Sequence, residues 1–140
     1  MKLGKFPIVY PEYKAAYFRV NKVATQSLTA LFEKSLGGGV PGGKIGPRYF
    51  KFAFVRNPYD RLVSCWLNQI AKPTEFSKKL FEDGMHKGFW DFDKIKPGMD
   101  FAEFVKVIAD IPDLVSNPHF KSQHLFLTDK DTGKFMPDFV

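Results

Sequence analysis

Tyr17-Phe18-Arg19-Val20-Asn21-Lys22-Val23-Ala24-Thr25-Gln26-Ser27-Leu28-Thr29-Ala30-Leu31-Phe32 is the stretch on which the reading of the whole chain turns. It opens as an apolar run suited to a buried strand and crosses a short polar turn carrying one lysine and several hydroxyls. It then sets Leu28, Leu31, Phe32 and Leu36 on one helical face. The order is strand, turn, helix. The first N–H groups of a helix lack intrahelical acceptors and carry the positive end of its dipole. Together with the side chains of Lys22, Thr25 and Ser27 they converge on a point just past the strand's end, which suits an anion.

Outward from this stretch, the strand covers about 15–20 and follows an extended lead-in, 1–13, that contains Pro7 and Pro11. The helix, from about Ser27, stops at Gly37, a favourable C-terminal cap. From Gly37 to Pro47 the chain is a glycine-rich connection that includes G-x-x-x-x-G-K, Gly38 to Lys44, the spacing of a nucleoside-triphosphate loop. Ile45 stands where such a loop needs a magnesium-binding hydroxyl, and the segment follows a helix instead of a strand, so a flexible connection is the better reading.

A second strand is expected over 50–55, where five of six residues are apolar and both faces should be covered. Asn57 and Pro58 start a helix as cap and first-turn proline, with Leu62, Val63, Trp66, Leu67 and Ile70 as its buried stripe and Lys72-Pro73 as its end. A polar helix over 74–82 and an irregular aromatic stretch over 83–99 follow. Asp100 and Glu103 form a capping box for a helix bearing Phe101, Phe104, Val105 and Ile108, closed by Pro112. Beyond Asn117-Pro118 the pattern predicts a short segment to Gln123, a strand over 125–127, a turn over 129–133 and the beginning of a strand over 135–140.

The 140 residues suit one domain, and a composition of 44% hydrophobic and 16% aromatic residues, with sixteen Phe, excludes a disordered tail. A formal charge of +6 favours an anionic partner. Nucleic acid, a nucleotide, an acidic glycan and an anionic membrane all answer to it, as does a plain spread of surface lysines. The single cysteine, Cys65, rules out an internal disulfide and a cysteine-based zinc site, and its apolar helical setting makes it a core residue. No apolar run reaches membrane-spanning length and Met1 to Tyr10 lacks the apolar block of a signal peptide, so a soluble, cytoplasmic chain is expected.

Val55-Arg56-Asn57-Pro58-Tyr59-Asp60-Arg61-Leu62-Val63-Ser64-Cys65-Trp66 repeats the geometry of the opening stretch. Arg56 sits at a strand's C-terminal end, where open α/β sheets place ligands, and Ser64 lies about two turns into the next helix. An arginine fork with a hydroxyl is suited to a phosphate, while the same residues can equally pair with an acid and pack. Arg61 reads as structural, since an arginine on a helix usually finds a neighbouring acid.

Taken together, the two stretches resemble the sulfotransferases that use 3′-phosphoadenosine 5′-phosphosulfate (PAPS), the carbohydrate branch above all. The family's first loop, Arg-Val-x-Lys-x-Ala-Ser/Thr-x-Ser, is matched by Arg19 to Ser27, with Asn21 where a proline is frequent. Its second, Val-Arg-x-Pro-x-x-Arg-Leu-x-Ser-x-Trp/Tyr, is matched throughout by Val55 to Trp66. Pro118-His119-Phe120-Lys121-Ser122-Gln123-His124-Leu125 is similar, more weakly, to the family's downstream His-Trp/Phe-x-Pro/Ser-Gln segment. Family members continue past Asp138-Phe139-Val140 into an acidic residue and further helix, so a chain cut short at its C-terminus, with an exposed apolar sheet surface there, is expected.

The resemblance implies a three-layer, P-loop-like α/β fold with a central parallel sheet flanked by helices. It also implies metal-free transfer of a sulfuryl group from PAPS to a hydroxyl or amine of an acceptor, a carbohydrate by branch. Lys22 is the implied catalytic cation, and Lys22, Val23, Ala24, Thr25, Gln26 and Ser27 hold the 5′-phosphosulfate. Arg56 and Ser64 hold the 3′-phosphate. His119 is the best-placed general base, with packing or nucleotide contact as its other reading; His86 and His124 have no assignment, and Glu33, Glu75, Glu82 and Glu103 are not ranked. The alternatives are a nucleotide-binding module without a complete acceptor site, a kinase-like enzyme disfavoured by Ile45, and a basic nucleic-acid binder.

Overall fold

Four short segments, most of them continuous apolar runs, build a mixed sheet in the computed structural model, which describes residues 7–72, 75 and 94–140. The strands are β1 (Ile8–Tyr10), β2 (Ala15–Phe18), β3 (Val40–Pro41) and β4 (Phe50–Ala53), in the order β3-β1-β2-β4. By contact the chain divides into two compact units, Met1–Arg56 with Ser122–Val140, and Asn57–Lys121. The expected polar helix over 74–82 and most of the aromatic stretch over 83–99, with His86 and Glu82, lie outside the described residues.

In the first unit β2 and β4 pair in parallel, Phe18 opposite Ala53, in keeping with the parallel sheet that the resemblance implies. The expected central parallel sheet is parallel only between β2 and β4, because β1 runs antiparallel to both β2 and β3. The reason lies in the lead-in. Pro11 opens a single 3-10 turn, Pro11–Tyr13, that ends at Lys14 with φ 48°. So short a reversal permits only antiparallel pairing, since a parallel partner needs a long crossover.

Alternation along the strands divides the core between the sheet's two faces. Ile8, Tyr10 and Tyr17 pack with Phe52 against Leu28, Phe32 and Leu36 of α1 (Thr25–Leu36). The Tyr17 ring centre is 5.3 Å from that of Phe32, edge-on, and 5.5 Å from that of Phe52, stacked. Leu31, expected on this stripe, is exposed; the contact row runs i, i+4, i+8 through Leu28, Phe32 and Leu36. Val9, Ala16, Phe18 and Ala53 point the other way, to Val20, Val23 and Leu127. The helix ends at Gly37 with φ 74°, and Gly39 lies so close under β1 that a Cβ there would stand 2.2 Å from Ile8 Cγ2. The Gly38–Lys44 segment therefore serves as an edge strand and turn, with Gly42 N–H donating to the Pro7 carbonyl at 2.9 Å, and starts no helix.

Two further expectations in this unit are corrected. The strand over 50–55 stops at Ala53, where pairing with β2 ends at Phe18, and Phe54 and Val55 beyond it are exposed, as is Phe50 at its start. The segment over 125–127 is a short helix, His124–Leu127, closed by Thr128 Oγ1 donating to the His124 carbonyl at 2.8 Å. Three apolar residues in a row do not tell helix from strand. The turn over 129–133 is present, with Gly133 N–H donating to the Asp129 carbonyl at 2.9 Å. In place of a terminal strand there are two isolated bridges, Phe135 antiparallel to Thr128 and Phe139 parallel to Phe52, and beside the second Lys51 and Asp138 form an ion pair of 3.0 Å.

In the second unit α2 (Pro58–Trp66) begins as expected, Asn57 Oδ1 accepting from Tyr59 N–H at 2.9 Å and Asp60 N–H at 3.4 Å. Cys65 is buried and in no disulfide, alongside Ile70, Ile95, Met99 and Phe104. The expected stripe is rotated: Val63 and Leu67 are exposed and Arg61 is buried, with Leu62 and Trp66 packed against the core. The next turn, Leu67–Ala71, is a π-helix, whose wider winding breaks the 3.6-residue period that placed Leu67 inside. Helix α3 (Phe101–Ala109) is capped by Asp100, whose carboxylate accepts from Glu103 N–H at 2.8 Å, and it buries Phe104.

Candidate functional site

Between β2 and α1 the backbone takes a conformation costly for side-chain-bearing residues. Lys22 has φ 68° and Ala24 φ 60°, both in the left-handed region. Left-handed residues interleaved with ordinary ones turn successive N–H groups inward, the geometry of an anion-binding nest. Ala24 is the N-cap of α1 and supplies no side-chain acceptor, so the first turn keeps its donors uncapped by side chain. Thr25 Oγ1 donates to the Val20 carbonyl, which ties the helix start to the strand end. Val23 is buried in the core and contributes only its main chain to the turn, while Ala24, Gln26 and Ser27 are exposed. Burial raises the Tyr17 phenol above its ordinary pKa, against smaller downward pulls from Thr25 and Arg19, so a neutral ring underlies this turn.

Parallel pairing of β2 with β4 sends both following segments off one edge of the sheet. The Lys22 turn leaves after Phe18, and Arg56 follows Ala53 by three residues. Arg56 is exposed, and its main chain is gripped on both sides by one side chain. Arg56 N–H donates to Gln123 Oε1 at 3.0 Å, and Gln123 Nε2 donates to the Arg56 carbonyl at 2.7 Å. The sequence placed Gln123 in a matched segment and gave it no role. A separation of 67 residues hides such a contact from any local pattern.

The second unit holds Ser64, Arg61 and His119. Ser64 is partly buried on α2, and Asn68 Nδ2 donates to its carbonyl at 2.9 Å and to its Oγ at 3.5 Å. Arg61 is 4% exposed, donating from its terminal nitrogens to the carbonyls of Lys121 at 2.7 Å and Pro118 at 3.0 Å. Burial lowers its pKa, while the neighbouring Cys65 and Asp113 pull it back up. It thereby braces the segment that carries His119, a structural part as read from sequence, with these two bonds going to main-chain carbonyls. Asn117 Oδ1 accepts from His119 N–H at 3.0 Å and lies 2.7 Å from His119 Nδ1. The main-chain donor identifies that atom as the amide oxygen, so Nδ1 donates as well, and in the neutral imidazole Nε2 is then the acceptor. Asn117, buried and overlooked in the sequence, sets this tautomer.

Among the described residues no cluster of His, Cys, Asp and Glu could hold a metal ion, and no helix is long and apolar enough to cross a membrane. No curated protein and no solved structure matches the chain. The model of the Sulfotransferase family matches residues 42–140, a span that takes in Arg56, Ser64, His119 and Gln123 and starts after the Lys22 turn. With most of its length covered, and with paired strands that launch both anion-suited segments from one sheet edge, the chain belongs to the sulfotransferase family.

Proposed function

We propose that the chain transfers a sulfuryl group from PAPS to a hydroxyl or amine of an acceptor, a carbohydrate by its motif resemblance. We read the 140 residues as one sulfotransferase domain, the first unit being of the three-layer, P-loop-like kind. The observation that carries the reading is the parallel β2–β4 pair, from whose common edge the Lys22 turn and Arg56 emerge. A net charge of +6 suits so anionic a donor.

PAPS, when bound, supplies the sulfuryl group and departs as adenosine 3′,5′-bisphosphate. The first-turn N–H groups of Thr25, Gln26 and Ser27, with the exposed Ser27 hydroxyl, hold the phosphosulfate oxygens. Lys22 meets the negative charge that grows on the oxygen bridging sulfur and phosphorus as that bond breaks. It therefore acts more strongly on the transition state than on the ground state. Arg56 takes the 3′-phosphate and fixes register, the role that resemblance also gives Ser64. His119 accepts the acceptor's proton at Nε2 as the new bond to sulfur forms, its ring held by Asn117.

Calorimetry with adenosine 3′,5′-bisphosphate, run beside a radiolabelled-sulfate transfer assay over a panel of hydroxylated and amino acceptors, tests the reading. Binding with transfer to a saccharide is the expected result. Binding without transfer to any acceptor would reduce the protein to a nucleotide-binding module, and absence of binding would overturn the reading altogether.

A further inference from the structure

We infer that Gln123 is a positioning residue for the nucleotide, acting through the main chain of Arg56; the inference rests on the function proposed above. Beyond Ala53 the regular pairing of β4 has ended, and Arg56 is the last residue before the cap of α2. Nothing in strand or helix ladders therefore sets its φ and ψ. The Gln123 amide supplies what a neighbouring strand would, an acceptor for Arg56 N–H at 3.0 Å and a donor to Arg56 C=O at 2.7 Å.

Two opposed hydrogen bonds to one residue fix the plane of both flanking peptides, and with it the direction in which the Arg56 side chain leaves the backbone. A guanidinium that binds phosphate through paired N–H groups is sensitive to that direction, because a small misalignment loses one of the two bonds. Gln123 is itself held: its carbonyl accepts from Phe126 N–H at 3.0 Å at the start of the short helix His124–Leu127, whose Leu127 lies in the core under the sheet. The rigid core thus reaches the Arg56 main chain through one side chain. Asparagine is one carbon too short to span the same two atoms, and glutamate keeps the acceptor but sets a carboxylate against a carbonyl.

The test is a mutant cycle on the full chain, read by calorimetry with adenosine 3′,5′-bisphosphate and by hydrogen exchange at the peptide containing Arg56. Gln123→Ala should weaken nucleotide binding by roughly threefold to tenfold and speed exchange at Arg56. Gln123→Glu should weaken binding at least as much. In an Arg56→Ala background, Gln123→Ala should cause no further loss of affinity, which a merely structural role would not predict. Should wild type bind the nucleotide and Arg56→Ala weaken it while Gln123→Ala does not, or should the two losses add, the positioning role is wrong and the function stands. Failure of the wild type to bind overturns the function and this inference together, whereas indifference of binding to Arg56→Ala overturns the inference alone and places the 3′-phosphate elsewhere. Unchanged exchange at Arg56 in Gln123→Ala overturns the inference alone.

Discussion

His119 and Asn117 share one oxygen: Asn117 Oδ1 receives the histidine's main-chain N–H at 3.0 Å and its ring Nδ1–H at 2.7 Å. Ring orientation and tautomer are set by the same acceptor. If His119 is the base, His119→Ala should lower kcat by about a hundredfold or more, with nucleotide affinity little changed. Asn117→Ala should fall between wild type and His119→Ala in kcat, since the ring survives but its orientation does not. Steady-state kinetics together with nucleotide calorimetry check both, and wild-type turnover in His119→Ala would remove it from the chemistry.

Lys22→Ala separates catalysis from binding. Because the ammonium acts on charge that develops during transfer, turnover should drop by on the order of a hundredfold or more while affinity for adenosine 3′,5′-bisphosphate changes much less. Lysine and alanine pay a similar cost for the left-handed backbone at position 22, so backbone strain does not separate the variant from wild type, and urea unfolding of both completes the comparison.

Arg56→Ala should act in the opposite sense, weakening nucleotide binding by roughly 2 kcal/mol, because a phosphate contact exists before, during and after transfer. Ser64→Ala should weaken it less. Isothermal titration of each variant measures the two losses, and an unchanged Kd for Arg56→Ala would place the 3′-phosphate elsewhere.

Arg61→Ala should cost about 2–4 kcal/mol of stability by urea unfolding, since it removes a buried cation and strands the carbonyls of Lys121 and Pro118. Arg61→Lys should recover only part of this, a single ammonium being unable to span both acceptors in the geometry of a guanidinium fork.

Acid should weaken the β4 edge. The main-chain N–H and ammonium of Lys51 hold the Asp138 carboxyl below its ordinary pKa. A lowered folded pKa makes the carboxylate's contribution full above the ordinary carboxylate range, and it is lost as pH falls through the folded value. Thermal melting of wild type and Asp138→Asn should therefore differ slightly near neutrality and converge as pH falls below the ordinary carboxylate range; a difference that persists in acid would show that Asp138 acts without its charge.

Local chemistry was legible in the chain. Asn57 and Asp100 cap helices where their side chains precede a proline or a Glu three residues on, and Cys65 falls inside, because caps and periodicity depend on residues within a turn or two. The parallel β2–β4 pair agrees with what the resemblance of the two motifs to the family implied, not with anything the local pattern showed by itself. Tertiary structure alone decided that β1 pairs antiparallel, that His124–Leu127 is helical, and that Arg61 is buried while Val63 and Leu67 are not. Each depends on partners far along the chain or on a π-turn that shifts the period. The same holds at the site: Lys22, Arg56 and His119 stand out by residue type and spacing, whereas Gln123 and Asn117 have ordinary side chains. What sets those two apart is where their oxygens and nitrogens lie in space, and a separation of 67 residues between Gln123 and Arg56 leaves no trace in local pattern.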